Sequence, residues 1–410
     1  MNKKYSLIDD QVAKFLSHNG IDYLPYKYSL EEKKDISDRI KKIINENIIT
    51  DNFIPNDQLV SNVNKKLRDQ GCFLFDKPLL DEKQITDIHN FLKNKKGHPA
   101  HVACYDKHHQ VSDLFNFKGK IASLNTKDLV EAPHFIELIS SDLIINSVTS
   151  YLGCAPTLFD MNLIFSYGDT EIYHETHHAH RDHDDFHHVL LMVYLNDVNE
   201  DCGPHIYFQK SHSLNNKSSK IKPIILENNS NDDVVDENDD FEKKYLYGKK
   251  GTSFFTDACG LHSGSAPNLG KSRMIFWARF GLSKNYMWEV HNHRYWNYDN
   301  KSFNKRISNN SNLKEYIFRL FTEDYDHNFY KNKYTISDKP IKKLTKNNHN
   351  IVVYGKYYFA IPQSYGPIEL EKQIDLQNFD LNSLSPEFTN GGILVSDNEE
   401  SLIERVLKIA

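Results

Sequence analysis

The sequence predicts a mainly β core, a sandwich or closed roll, with flanking α-helices and a mixed C-terminal extension. Two observations carry this. Between about residues 155 and 285, short apolar runs at 158–166, 189–198, 205–208, 252–256 and 274–282 are separated by turn residues, the texture of many short strands. On either side, apolar residues recur at helical spacing instead.

Taken in order, Ser29 and Glu32 form a capping-box pattern, and Ile36, Ile40, Ile43 and Ile44 follow on one helical face. Residues 1–55 are therefore expected to be a helical N-terminal appendage. The central domain is expected over 56–285. It opens with a buried strand at 71–75, then a helix capped by Asp81 that carries Ile85, Ile88, Phe91 and Leu92. A second helix ends near Tyr151 and Leu152, with Gly153 as its stop. Within the β region, 227–242 is dense in Asp, Glu, Asn and Ser and reads as a solvated insertion loop. Residues 286–410 are expected to form an extension packing on the core. It starts with Tyr286, Trp288, Tyr295, Trp296 and Tyr298, passes an amphipathic stretch at 316–321, and closes with Leu402, Val406 and Ile409 on a helix behind a Ser396 to Glu399 capping pattern.

Composition narrows the function classes. The 410 residues are 39% hydrophobic and 12% aromatic, which is ordinary for a folded protein and excludes disorder throughout. Lys plus Arg number 50 against 56 Asp plus Glu, a net charge of -6, and the basic residues are scattered, which argues against a nucleic-acid partner. Cys72, Cys104, Cys154, Cys202 and Cys259 are far apart, odd in number and contain no C-x-x-C pair. That favours a reducing cytoplasm over a disulfide framework or zinc knuckle. The first residues lack the apolar core of a signal peptide, and the longest apolar run, 189–195, is too short to span a bilayer. A soluble protein without membrane insertion is expected; its oligomeric state is left open.

The chemistry concentrates in 174–188, where seven histidines are threaded with acidic residues. In extended chain, residues two apart share a face, so His180 and Asp182 can line one cavity while Arg181 turns away. His262, beside Gly264 at the end of another strand pattern, can complete a face of two histidines and one carboxylate, the ligand set of non-haem Fe(II) oxygenases. Such a set leaves coordination positions open, which a fully ligated structural site does not. Arg273, eleven residues after His262, has a planar fork suited to the far carboxylate of a dicarboxylic 2-oxoacid. Arg279 lies about 20 Å further along the same strand face and is expected to make a surface or inter-element salt bridge instead.

At these residues the sequence resembles the phytanoyl-CoA dioxygenase family: His180-Arg-Asp-His-Asp-Asp185, Tyr194-Leu-Asn-Asp-Val198, Gly203-Pro204 and Ser211-His212 occur in that family's order. The resemblance covers roughly 70–282. It implies a double-stranded β-helix, a cupin-like jelly roll, that uses Fe(II), 2-oxoglutarate and dioxygen. It further implies His180, Asp182 and His262 as metal ligands and Arg273 as the 2-oxoglutarate anchor. The implied activity is hydroxylation of a C–H bond of a small-molecule or lipid-like substrate, with succinate and carbon dioxide as co-products. Two positions depart from the family. Lys210 stands where glycine is common, and Gly264 stands where relatives often have a serine that helps hold 2-oxoglutarate; Ser263 or Ser265 is the available substitute.

Other readings compete. His183 begins a second His-x-Asp overlap, although family register favours His180 and Asp182. His174-Glu175-Thr-His-His178 satisfies the H-E-x-x-H zinc-hydrolase pattern, but Gly168 and Asp169 interrupt any helix leading into it. A cupin-like roll that binds metal without oxidising anything is a third. Asp182 favours hydroxylation over halogenation, because related halogenases replace this carboxylate with a small residue. A cysteine nucleophile has no support.

Overall fold

Ten strands form two antiparallel sheets in the computed structural model of the protein: β1 (Cys72–Leu74), β2 (Gly97–Pro99), β3 (Ile121–Leu124), β4 (Thr157–Tyr167), β5 (His188–Tyr194), β6 (His205–Phe208), β7 (Lys243–Leu246), β8 (Ser253–Asp257), β9 (His262–Gly264) and β10 (Ser272–Gly281). The larger sheet has the order β1-β8-β5-β10-β4-β3-β2 and the smaller β7-β6-β9. The structure describes residues 3–21, 25, 28–48, 57–99, 114–115, 121–124, 126–168, 179–213, 241–282, 300–307, 311–322, 337–346, 349–355, 357–363 and 393–408. The described residues up to 322 belong to one compact unit and those from 337 onward to a second.

Register decides which side chains face the site. β10 pairs with β4 as Arg273↔Ser166 and Arg279↔Asp160, and with β5 as Trp277↔Met192 and Arg279↔Leu190. Because strand side chains alternate, one face of the large sheet carries Asp160, Asn162, Ile164 and Ser166 beside Arg273, Ile275, Trp277 and Arg279. The opposite face presents Met161, Leu163, Phe165, Phe276, Ala278, Leu191 and Val193, all buried. Helices cover this apolar face, which is why 189–195 reads as an unbroken apolar run.

Seven helices of this unit are α1 (Lys3–His18), α2 (Leu30–Asn47), α3 (Gln58–Gln70), α4 (Glu82–Leu92), α5 (Thr126–Glu131), α6 (Phe135–Ile139) and α7 (Asp142–Leu152); shorter ones span Asn300–Arg306, Asn312–Ile317 and Arg319–Thr322. Phe135 of α6 stacks on Phe276 of β10 with ring centroids 4.1 Å apart. The expected caps form: Ser29 Oγ accepts from Glu32 N while Glu32 Oε2 accepts from Ser29 N, and Asp81 pairs with Gln84 in the same way. Gly71 ends α3 with φ 82, and a Cβ there would lie 2.2 Å from Tyr207 Oη, so both backbone and space require glycine.

The faces of the two sheets that meet share one apolar cluster, with Leu190, Met192, Tyr194, Ile275 and Trp277 from the large sheet and Tyr207 and Leu246 from the small one. Each fully buried aliphatic or phenyl side chain contributes ~1.5–3 kcal/mol. Tyr194 ties the layers together, donating to Leu246 O at 2.6 Å and accepting from His205 N at 2.9 Å. Tyr207 Oη likewise donates to Asp257 O at 3.0 Å. The result is an antiparallel sandwich with helices outside it.

The second unit is an antiparallel meander of β11 (Ser337–Lys346), β12 (His349–Gly355), β13 (Tyr357–Pro362) and β14 (Leu394–Ser396), with helix Glu399–Lys408 on it. Leu402 and Val406 pack on Ile351 and Ala360. The cap of that helix is Asn398 rather than the expected Ser396. Asn398 Oδ1 accepts from Ser401 N, and Ser396 Oγ accepts one step earlier from Asn398 N. Most of 227–242, and the aromatic residues at 286–298, lie outside the described residues. Among the described residues no helix is long and apolar enough to cross a membrane.

Candidate metal centre

The segment containing His180 is not a regular strand; a single bridge to β9 aligns it. His180 and His262 exchange both backbone hydrogen bonds at 2.9 Å, so their side chains stand directly opposite, with ring centroids 4.5 Å apart. Asp182 N donates to Ala258 O at 3.0 Å, which keeps the next two residues extended and returns Asp182 to the same side. Asp182 Oδ1 then lies 3.6 Å from His180 Nε2 and 3.5 Å from His262 Nε2. One donor atom from each of the three falls within 4.8 Å of the others, the size of a metal nest.

The motif residues around the triad build its frame. Arg181, buried, donates through Nη1 to Ser211 O at 2.8 Å and Cys259 O at 2.6 Å, stapling two turns. Ser211 Oγ accepts from Leu261 N at 2.7 Å and donates to Phe208 O, which fixes the chain entering β9. Lys210 has φ 65, the left-handed region, which explains why glycine suits that turn. The N-terminal appendage also reaches the motif. Lys33 of α2 is buried with Nζ 2.9 Å from His183 Nδ1, and Tyr28 packs against Phe186. Asp185 accepts from Phe186 N and Leu282 N, a backbone anchor rather than a donor to the nest.

Electrostatics favour a cation. Burial would raise Asp182, but Arg279, then His262 and His180, hold it well below the usual carboxylate range, so it is ionised. Burial would lower His262, and the Asp182 carboxylate outweighs it and raises the imidazole. His262 Nδ1 lies 3.0 Å from Gly260 O, and since a carbonyl only accepts, Nδ1 carries the proton and Nε2 faces the nest. His205, also buried, stacks at 5.4 Å on His262 and is held neutral by burial and by the neighbouring His262.

Arg273 sits where β10 meets β9. Its Nη1 donates to Gly203 O and its Nη2 to Ser166 Oγ at 3.3 Å, and its Nε has no partner. A Cβ on Gly264 would approach Nη2 to 2.9 Å, so the glycine clears space for the guanidinium. Arg273 is 7% exposed and has no carboxylate partner among the described residues. An isolated buried charge costs several kcal/mol unless a counter-ion arrives.

Ser263 is opposite Ile206, one residue off the His262 and Gly264 face, so its side chain lies on the far side of β9 from Arg273. That geometry corrects the expectation that Ser263 lines the cosubstrate site. The serine beside Arg273 is Ser166, which sequence reasoning missed because only the β4–β10 register brings it there. Arg279 is an inter-element ion pair but not a surface one. It contacts Asp182 Oδ2 at 3.2 Å, Asp184 Oδ2 at 2.6 Å and Asp160 Oδ2 at 3.7 Å. Burial together with the nearby Asp182, Asp160 and Asp185 pushes Asp184 up to about 7 despite Arg279, and burial holds His188 down to about 3. Burial also pushes the Cys259 thiol up to about 12, which removes it as a nucleophile. His174, Glu175 and His178 lie outside the described residues.

No family model matches the chain, and no curated protein matches it. Solved structures similar to it include the epimerase SnoN in complex with Fe3+, alpha ketoglutarate and nogalamycin RO, at 13% identity over 54% of this chain and 83% of that one, TM-score 0.40. HygX from Streptomyces hygroscopicus with nickel, 2-oxoglutarate and hygromycin B bound matches at 13% identity over 54% and 86%, TM-score 0.38. EctD from S. alaskensis with 2-oxoglutarate and 5-hydroxyectoine matches at 13% over 55% and 78%, TM-score 0.39.

Proposed function

We propose that the protein is an Fe(II)- and 2-oxoglutarate-dependent dioxygenase of the double-stranded β-helix type, hydroxylating a C–H bond of a small-molecule or lipid-like substrate. The observation that carries this is a pairing: a nest of two imidazoles and one ionised carboxylate shares a face with a buried arginine that has no anionic partner among the described residues. A structural metal site has no use for that arginine. A dicarboxylic cosubstrate that binds metal at one end uses both.

The donors fit the metal. His180 and His262 supply neutral nitrogens, Asp182 supplies one anionic oxygen, and three protein ligands leave positions for other groups. When bound, iron with 2-oxoglutarate and dioxygen supplies oxidative decarboxylation, releasing succinate and carbon dioxide, coupled to hydroxylation. The chain's own part is to bind and to shield. Arg273 holds the far carboxylate through its fork, with Ser166 Oγ beside it to complete the polar pocket. Trp277 and Met192, both buried, wall the same face and exclude water, which strengthens those charge-assisted contacts. His205 braces the His262 ring by stacking.

The test is succinate formation from 2-oxoglutarate by protein loaded with iron under anaerobic conditions and then exposed to oxygen. His180→Ala and Asp182→Ala should each lose more than about 100-fold in turnover, beyond the loss typical of outer-shell changes. Equal turnover in all three proteins would remove the assignment. Glu175→Gln should leave succinate formation unchanged, whereas a zinc hydrolase would need that base.

A further inference from the structure

A second group of donors overlaps the first. Asp182, Asp184 and His188 also bring one ligand atom each within 4.8 Å of one another, so two metal-sized nests share Asp182. His188 is 0% exposed, neither of its ring nitrogens has a hydrogen-bond partner among the described residues, and Nε2 lies 3.8 Å from Asp184 Oδ2. A fully buried, unpartnered imidazole aimed at a carboxylate pair is a ligand in waiting.

Arg279 already occupies the carboxylates of this second nest. Its guanidinium reaches Asp184 Oδ2 at 2.6 Å and Asp182 Oδ2 at 3.2 Å, leaving Asp182 Oδ1 turned to the two histidines of the first nest. Trp277 supports the guanidinium from the same strand face at 4.4 Å. A register shift between Arg279 and Phe280 marks the point where β10 departs from regular pairing with β4. Formal charge agrees. Asp160, Asp182 and Asp184 can carry at most three negative charges against one on Arg279, so one divalent ion closes the balance and a second would leave the buried cluster strongly positive.

We infer that Arg279 acts as a built-in cation that fills the Asp182–Asp184–His188 nest, confines the metal to His180, Asp182 and His262, and keeps Asp182 a one-oxygen ligand. Arg279 is thus a positioning residue. It preserves the open coordination positions by denying the metal both the second Asp182 oxygen and Asp184. This rests on the reading that the first nest holds a divalent metal.

Metal-stripped full-length chain titrated calorimetrically with Mn(II) or Co(II) tests it. The unaltered protein should bind one ion per chain, and so should Arg279→Lys, which keeps the charge. Arg279→Gln should bind two, and Arg279→Gln combined with His188→Gln should return to one. His188→Gln alone should leave metal affinity within about twofold, because His188 takes no part in the first nest. One ion at unchanged affinity in Arg279→Gln, or two in the unaltered protein or in Arg279→Lys, would overturn the inference. If Arg279→Gln does not fold, His188→Gln still decides: a loss of about tenfold or more in affinity would place the metal in the second nest. An unaltered protein that binds no divalent ion would instead remove the functional reading beneath it.

Discussion

β10 carries two arginines on one face, six residues apart, Arg273 buried and Arg279 half-buried, and their surroundings are opposite. Arg279 is surrounded by three carboxylates, while among the described residues Arg273 contacts only a carbonyl and a hydroxyl and its Nε has no partner. Desolvation penalises both cations. At Arg279 the chain itself supplies the counter-charge, so the residue belongs to the folded framework. At Arg273 no carboxylate stands as partner among the described residues, which is the place the proposed cosubstrate would fill.

The largest consequence lies at Arg273. Arg273→Ala should weaken 2-oxoglutarate binding by roughly a thousandfold, about 4 kcal/mol, and leave divalent-metal affinity unchanged. Calorimetry with metal and cosubstrate titrated separately checks this, and loss of metal instead would mean that the residue is misplaced. Next comes the stability contrast between the two arginines. Arg279→Met should lower the unfolding free energy of the metal-free protein by about 3 kcal/mol, since it strands buried carboxylates, while Arg273→Met should leave it unchanged or raise it. Denaturant melts of the pair would break the comparison if both variants lost stability equally.

A smaller effect is expected at Asp257, which accepts from Tyr151 Oη at 2.5 Å and Cys259 N at 2.8 Å and lies 3.2 Å from His187 Nε2. Burial would raise this carboxyl, but His187, then His212 and Tyr151, hold it far below its ordinary range. A depressed folded value stabilises fully above the unfolded value, about 4, and that stabilisation fades as pH falls below it. Asp257→Asn should therefore cost about 2 kcal/mol at pH 7, and the gap from the unaltered protein should shrink toward pH 3. Smallest is Lys210→Gly, which relieves a left-handed backbone and should add about 0.5–1 kcal/mol. Thermal melts would show it, and a loss of stability there would mean that the lysine side chain contributes more than the strain costs.

The shared face of His180 and Asp182 was readable because they are two apart in extended chain, while His262, far downstream, was picked out by its place before Gly264 and by the family resemblance, and the fold brings the three together. Strands β1, β4, β5, β6, β8 and β10 were readable from their apolar runs, whereas the three- and four-residue strands β2, β3 and β7 were not, and the caps at Ser29 and Asp81 were readable from residue types that compete for backbone amides. What stayed hidden depends on register. Ser166 is one serine in an apolar run, and only its pairing with Arg273 makes it part of a pocket. Arg279 looked peripheral because strand length separates it from Arg273, yet the 180–188 segment passes over that end of the sheet. Period-two alternation along 262–264 is the available signal that Ser263 faces away. Polar residues interrupt the apolar positions of β11, Ser337–Lys346, whereas the apolar runs of β12 and β13, at 351–354 and 357–362, were legible as strands but were not singled out.

The most direct measurement is anaerobic calorimetry of 2-oxoglutarate with the protein, with and without Fe(II). The account predicts one molecule bound per chain only when the metal is present, and none detectable in Arg273→Ala at the same concentrations. Equal binding with and without iron, or no binding in the iron-loaded protein, would contradict it.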